Sequence, residues 1–144
     1  MQIKTSNQVD SQVYADAIAI RRAVFVEEQG IDEALEIDEV TSATWHYVLY
    51  DDTDQAVATA RITSTDQHAL HVQRVATLKA ARGNGYAREL LQRMAQDASK
   101  QGFTELQLGA QVTAQGLYES LGYQPQGAVF MEAGLKHQNM TLTL

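Results

Sequence analysis

A chain of 144 residues with 44% hydrophobic residues, one Pro and nine Gly is long enough to bury a core and too short to hold two domains comfortably. The absence of cysteine excludes disulfides, thiolate zinc sites and a cysteine nucleophile together, and suits a reducing cytosol. A net charge of −7 opposes broad affinity for nucleic acid, which is held by clustered Lys and Arg.

The N-terminus, Met1-Gln2-Ile3-Lys4-Thr5, lacks an apolar signal core, and no run approaches the roughly 20 apolar residues of a membrane span. A cytoplasmic protein with no membrane or nucleic-acid partner is expected, as one domain over residues 1–144. From Asp10 to about Val26, Val13, Ala17, Ile20 and Val24 recur at three- and four-residue spacing, which predicts an amphipathic helix. Glu27 to Glu39 is acidic and reads as irregular. Thr44 to Tyr50 and Val57 to Thr63 are β-branched and aromatic runs around the turn Asp51–Asp54, hence a hairpin. A polar turn from Ser64 to Gln67 leads to a third strand, Leu70 to Leu78. After a glycine-rich turn, Ala87, Leu90, Leu91, Met94, Ala95 and Ala98 mark one helix face, with Gly102 as its cap. Phe103 to Ala110 alternates as a strand. A short helix ends near Gly122, and strands are expected around Ala128 to Met131 and from Asn139 to Leu144. The pattern is α+β, with helices around a mixed, mostly antiparallel sheet.

The turn Arg82-Gly83-Asn84-Gly85-Tyr86-Ala87 lies between strand and helix, where backbone can approach an anion and a helix start supplies unpaired N–H groups. From its glycines alone, a phosphate site and a plain flexible turn are equally good readings. It has no Gly-Lys-Ser/Thr end of a P-loop, and the hairpin-connected strands before it do not suit a dinucleotide-binding βαβ unit.

Arg82-x-x-Gly85-x-Ala87 resembles the Gln/Arg-x-x-Gly-x-Gly/Ala signature of the GNAT acetyltransferases. Gln111-x-x-Ala114-x-x-Leu117-Tyr118-x-x-Leu121-Gly122-Tyr123 is similar to their Asn-x-x-Ala-x-x-Leu-Tyr-x-x-Leu-Gly-Phe segment, with Gln for Asn and Tyr for Phe. The segments Arg21–Ile31 and Glu132–Met140 resemble the ElaA/YjcF-type subgroup and, more distantly, the glyphosate N-acetyltransferases. The resemblance implies the GNAT fold and transfer of an acetyl group from acetyl-CoA to a primary amine, with a small-molecule amine acceptor as the expected partner. Dimers are common in the superfamily, which makes a homodimer an assembly to test.

The same resemblance assigns roles. The amides of Arg82, Gly83, Asn84, Gly85, Tyr86 and Ala87 would hold the coenzyme pyrophosphate. Val75, Ala76 and Thr77 would bind pantetheine and polarise the thioester, and Gln111 and Tyr118 would also touch the coenzyme. Leu70 and Val72 share one strand parity while Val75 is apolar on the other, as a bulge or a strand buried on both faces would produce. Tyr118 would be the general acid, although a lone Tyr on an amphipathic helix equally reads as core. His137 would be the general base, with a carboxylate such as Glu28 as the alternative. Arg21 and Arg74 match positions near the acceptor in relatives that handle anionic amines. Gln111 stands where the glyphosate-type enzymes carry Arg, and Lys136 where they usually carry Pro. The acidic stretch Glu27–Glu39 reads as a solvated face or as an attractor of a cationic acceptor. His46, His68 and His71 show no metal-like pattern, and no metal site is expected. Without Cys, transfer would run directly between bound coenzyme and amine. A non-catalytic acyl-CoA-binding sensor or partner-binding module is the alternative in another class.

Overall fold

In a computed structural model that describes residues 1–64 and 66–144, seven strands form one sheet in the order β1-β2-β3-β4-β5-β7-β6. The strands are β1 (Gln2–Ser6), β2 (Thr44–Tyr50), β3 (Ala56–Ser64), β4 (Ala69–Thr77), β5 (Glu105–Gln111), β6 (Gln124–Glu132) and β7 (Leu135–Thr143). All neighbours are antiparallel except β4 and β5, which are parallel. The helices are α1 (Gln12–Arg21), α2 (Glu33–Glu36), α3 (Tyr86–Lys100) and α4 (Gln115–Ser120). This is the mixed, mostly antiparallel sheet flanked by helices that the sequence leads one to expect. No helix among the described residues is long and apolar enough to cross a membrane.

Strand alternation divides the core. Tyr47 and Leu49 join Leu90, Leu91 and Met94 of α3 on one face, while Val48 and Tyr50 join Ala17 and Ile20 of α1 on the other. Helix α1 starts where Ser11 accepts from the Tyr14 N–H at 3.1 Å, the usual relief of an orphaned first-turn donor. Instead of continuing to Val26 as one α-helix, the chain turns π-helical over Arg22–Glu28. The wider winding ends where Gln29 N–H bonds Val24 O at 3.0 Å.

Other differences have physical causes. Strand β1 carries no apolar alternation because it is a sheet edge with only Ile3 packed against the core. The segment expected to be irregular contains α2, started by Asp32 accepting from Ala34 N–H at 3.0 Å. Strands β6 and β7 are longer than expected, for β6 is an exposed edge whose apolar content says little. Its Pro125 is acceptable at an edge. The expected Ser64–Gln67 turn includes Thr65, which lies outside the described residues.

One charged cluster ties α1, α2, β3 and β4 together. Arg21, 1% exposed, reaches Glu36, 4% exposed, through Nε–Oε1 at 2.8 Å. Arg61 forks onto Asp38 with two 2.7 Å bonds. Arg74 Nε lies 3.0 Å from Glu36 Oε2, an ion-pair distance off the hydrogen-bond axis, since that nitrogen has no hydrogen-bond partner. Burial pushes the Asp38 carboxyl up, but the bonds from Arg61 and the charges of Arg61, Arg74 and Arg21 outweigh it and bring it down to about 2. His46 lies buried beside the cluster with Tyr14 edge-on to its ring, and its Nε2 has no hydrogen-bond partner among the described residues.

Removing one partner from a buried pair strands the other charge. Glu36→Ala should therefore cost about 3–5 kcal/mol in urea unfolding, and a loss under about 1 kcal/mol would show that Arg21 finds other solvation. The His46 imidazole is brought down from its ordinary 6.5 to about 4 by burial and then by Arg21 and Arg61. The unfolded chain thus binds a proton between these values that the fold refuses, so stability is complete above about 6.5 and declines toward pH 4. Half-buried His71, shifted in the same direction, adds to the decline. Tm measured from pH 7 to 4 should fall less steeply in His46→Leu; an unchanged slope would exclude His46 as a source.

Candidate functional site

The site begins where two neighbouring strands stop pairing. Strands β4 and β5 are in register only at Ala69–Glu105, Leu70–Leu106 and His71–Gln107, although β4 runs on to Thr77 and β5 to Gln111. On its other side β4 stays with β3, through Thr59–Ala76 and Ala58–Thr77. The edge of β4 from Val75 to Thr77 therefore borders a gap in the middle of the sheet, where a ligand's amide groups could complete the ladder, while Ala76 keeps Thr59 of β3 as its ladder partner.

A bulge at this point turns the strand. Ala60 stands opposite both Arg74 and Val75, and Arg74 has φ 58°, a left-handed conformation that costs an L-residue on the order of 1 kcal/mol. The bulge reverses the pleat: Val75 packs with the α3-side core as Leu70 and Val72 do, while Ala76 enters the α1-side core. This is the parity change readable in the sequence, and it selects the bulge over a strand buried on both faces.

Beyond β4, the turn brings Gly83 and Gly85 to φ 84° and 77°, and Gly85 caps α3 with no side-chain hydrogen bond to the first turn. A Cβ at either glycine would meet no atom within 4 Å. Glycine is thus demanded by the backbone, and the space beside it is open to a ligand. Asn84 Nδ2 donates to Ala81 O at 2.8 Å, Tyr86 packs against the α3-side core, and Ala87 is half-buried. Arg82 donates through Nε to Thr77 O at 3.1 Å and forks onto Glu28 at 2.6 and 2.7 Å. That fork holds the Glu28 carboxyl below its ordinary value, which makes Glu28 a poor general base.

Tyr118, on α4, is 6% exposed, and its ring meets Tyr123 edge to face at 5.7 Å. Burial raises the phenol well above its ordinary 10, so the proton stays on through the neutral range. The Tyr123 hydroxyl, present where the family motif has Phe, is buried with no hydrogen-bond partner among the described residues. Backbone from Tyr123 N–H to Tyr118 O, 3.0 Å, closes α4, and Gly122 at φ 96° makes the reversal possible.

Gln111 and His137 are register partners on β5 and β7, and His137 also stands opposite Phe130 of β6, stacked at 5.8 Å. His137 Nδ1 lies 2.9 Å from Leu135 O. A carbonyl can only accept, so in the neutral ring Nδ1 carries the proton and Nε2 holds the lone pair. Nε2 is 3.7 Å from Glu132 Oε2. Gln111 donates to Gln29 Oε1 at 2.9 Å. Among the described residues no hydrogen bond joins His137 to Tyr118.

Of the two arginines expected near the acceptor, Arg74 is 27% exposed at its side chain and stands at the gap, whereas Arg21 is 1% exposed and is committed to Glu36. The acidic stretch is solvated in part: Glu27, Glu28, Asp32, Glu33 and Glu39 are exposed, Asp38 is half-buried and Glu36 is buried. Glu28, Glu33, Glu36 and Asp38 pair with Arg82, Arg22, Arg21 and Arg61 respectively, which lowers its attraction for a cation. Sequence reading passed over Arg61, Glu36 and Asp38 because partners 15 to 23 residues apart leave no local spacing signal. A separate cavity of about 260 Å³, lined by Trp45, Tyr47, Asp97 and Phe103 among others, contains none of the expected site residues.

Residues 6–144 match the family model described as an acetyltransferase (GNAT) domain. The uncharacterized N-acetyltransferase YjcF of Bacillus subtilis (strain 168) is 30% identical over 87% of this chain and 89% of its own. A crystal structure from Lactobacillus plantarum is 35% identical with a TM-score of 0.90, covering 99% of this chain and 97% of that one. Escherichia coli ElaA is 25% identical with a TM-score of 0.83, over 98% and 99%. At 14% identity, a GNAT family acetyltransferase from Elizabethkingia anophelis solved with acetyl-CoA bound shares the fold alone, with a TM-score of 0.66 over 99% and 97%. With the parted strands, the uncapped glycine turn and a family match over nearly its whole length, this chain belongs to the GNAT acetyltransferases.

Proposed function

We propose that the protein transfers the acetyl group of acetyl-CoA to the primary amine of a small molecule that also carries an anionic group, by direct attack within a ternary complex. The observation that carries this reading is the gap beside Val75–Thr77 leading to the uncapped start of α3, one continuous backbone surface for an amide-containing arm and then a pyrophosphate. Acetyl-CoA supplies the activated acetyl group as a thioester.

The chain's own groups then have distinct tasks. Amides of the turn Gly83–Ala87 face the anion, with the helix start adding partial positive charge. The β4 edge at Val75–Thr77 aligns the arm and offers backbone N–H to polarised oxygen. Tyr118 holds a proton in a buried setting and can give it to a departing sulfur. His137, with Nδ1–H anchored on Leu135 O, offers Nε2 to take a proton from the acceptor's ammonium, directly or through one water. Three guanidinium groups, Arg21, Arg61 and Arg74, face two carboxylates, Glu36 and Asp38. The excess positive charge sits nearest solvent at Arg74, which supports an anionic acceptor group there. Arg21 would act on the acceptor only by fixing Glu36 beneath Arg74.

Acetyl-CoA with a panel of anionic, neutral and cationic amines, followed by thiol release, should give turnover that is fastest for anionic amines. Coenzyme binding without turnover on any amine would favour a sensor. Tyr118→Phe should lower kcat by about 10²–10⁴-fold and leave coenzyme A affinity nearly unchanged; wild-type kcat would return Tyr118 to the core. A base works only unprotonated, so the rate should fall on the acid side of the wild-type profile. His137→Ala should lose both rate and that limb, and a variant keeping both would remove His137 from the chemistry.

A further inference from the structure

The π-helical segment ends at Glu28, and Glu28 and the Gln29 that follows it bond to opposite sides of the gap. Glu28 forks onto Arg82, at 2.6 and 2.7 Å, on the connection that leaves β4. Gln29 accepts from Gln111, at 2.9 Å, at the end of β5. These are the two arms that have parted since His71–Gln107. The segment is itself well anchored: Val24 and Phe25 are 3% and 7% exposed, and Ile31 N–H returns to Phe25 O at 2.9 Å. Short π-helical stretches often mark functional positions because they displace the residues that follow.

Arg82 also explains what the tie does. Its Nε is on Thr77 O, and an N–H from each Nη goes to Glu28. The planar fork therefore fixes three points together: the end of β4, the turn before α3 and the end of the π-helical segment.

We infer that Glu28 and Gln29 form a strap across the mouth of the gap, setting the separation of the two strand ends, with Glu28 a positioning residue that braces the coenzyme turn through Arg82. Arg82 on this account is a brace, and the anion is left to the turn's amides. The inference rests on the reading that this turn holds the coenzyme, so its test must separate the two.

Coenzyme A affinity by calorimetry, beside urea midpoints, should be measured for wild type, Glu28→Gln, Arg82→Gln, the double variant, the exchange Glu28→Arg/Arg82→Glu, and Gln29→Ala. Each of the single variants, Gln29→Ala included, should weaken coenzyme A by roughly two- to fivefold, the scale of a partly exposed ion pair or its neutral counterpart. The double variant should be no weaker than either charge single, because both remove one interaction, and the exchanged pair should recover part of the affinity. A purely structural pair would lower the urea midpoint without moving the affinity of the folded protein. Unchanged affinity in folded Glu28→Gln and Gln29→Ala overturns the strap, as does tighter binding in Glu28→Gln, which would make Glu28 a competitor of the phosphates. Wild-type protein without affinity for coenzyme A would overturn the functional reading and the strap with it.

Discussion

Everything in the site follows from three residues of parallel pairing. Parallel strands in a sheet normally continue side by side, yet β4 and β5 share register only from Ala69 to His71 before separating. An unpaired strand edge in a sheet's interior is costly unless something completes its hydrogen bonds. The separation is built in: the Arg74–Val75 bulge redirects β4, and pairing with β3 and β7 holds each arm on its far side. Helices α1 and α3 cover opposite faces, so the opening lies within a rigid frame. Binding at such an opening requires little ordering of the protein, which keeps the entropic cost of capture low.

Charge is organised around the same opening. The net negative total says little about local chemistry, because several of the acidic residues are consumed internally. Arg21, Glu36, Arg61, Asp38 and Arg74 fill one partly buried cluster on one side of it, and Arg82 with Glu28 forms another beside the glycine turn. A buried pair such as Arg21–Glu36 adds little net stability over an apolar substitute. What it gives is a fixed guanidinium at Arg74, whose left-handed φ is the kind of backbone strain that concentrates at functional sites.

The sequence was most legible where periodicity was strong. Helix α3, with Leu90, Leu91, Met94 and Ala98 on one face, and the β2–β3 hairpin could be read from spacing alone. The bulge also left a trace, since Val75 breaks the parity of Leu70 and Val72. Less legible were β1 and the full length of β6, which lie at sheet edges where neither face demands apolar residues. The pairing of Glu36 and Asp38 was hidden because a charge run looks the same whether solvated or paired across long sequence separations. The π-helical winding over Arg22–Glu28 has no spacing signature that distinguishes it from a continuing α-helix. Among the candidate site residues, the glycine turn announced a possible anion site by composition, while the roles proposed for Tyr118 and His137 rest on resemblance.

The central claim is that the gap beside β4 and the turn before α3 together receive the coenzyme. Amide hydrogen exchange with and without coenzyme A tests it directly, for a bound arm must shield the backbone it bonds. The account predicts new protection concentrated in Val75–Thr77 and Gly83–Ala87, with little change at the edge strands β1 and β6. Protection confined to another surface, such as the cavity lined by Trp45 and Phe103, or coenzyme binding with no protection at the gap, would contradict it.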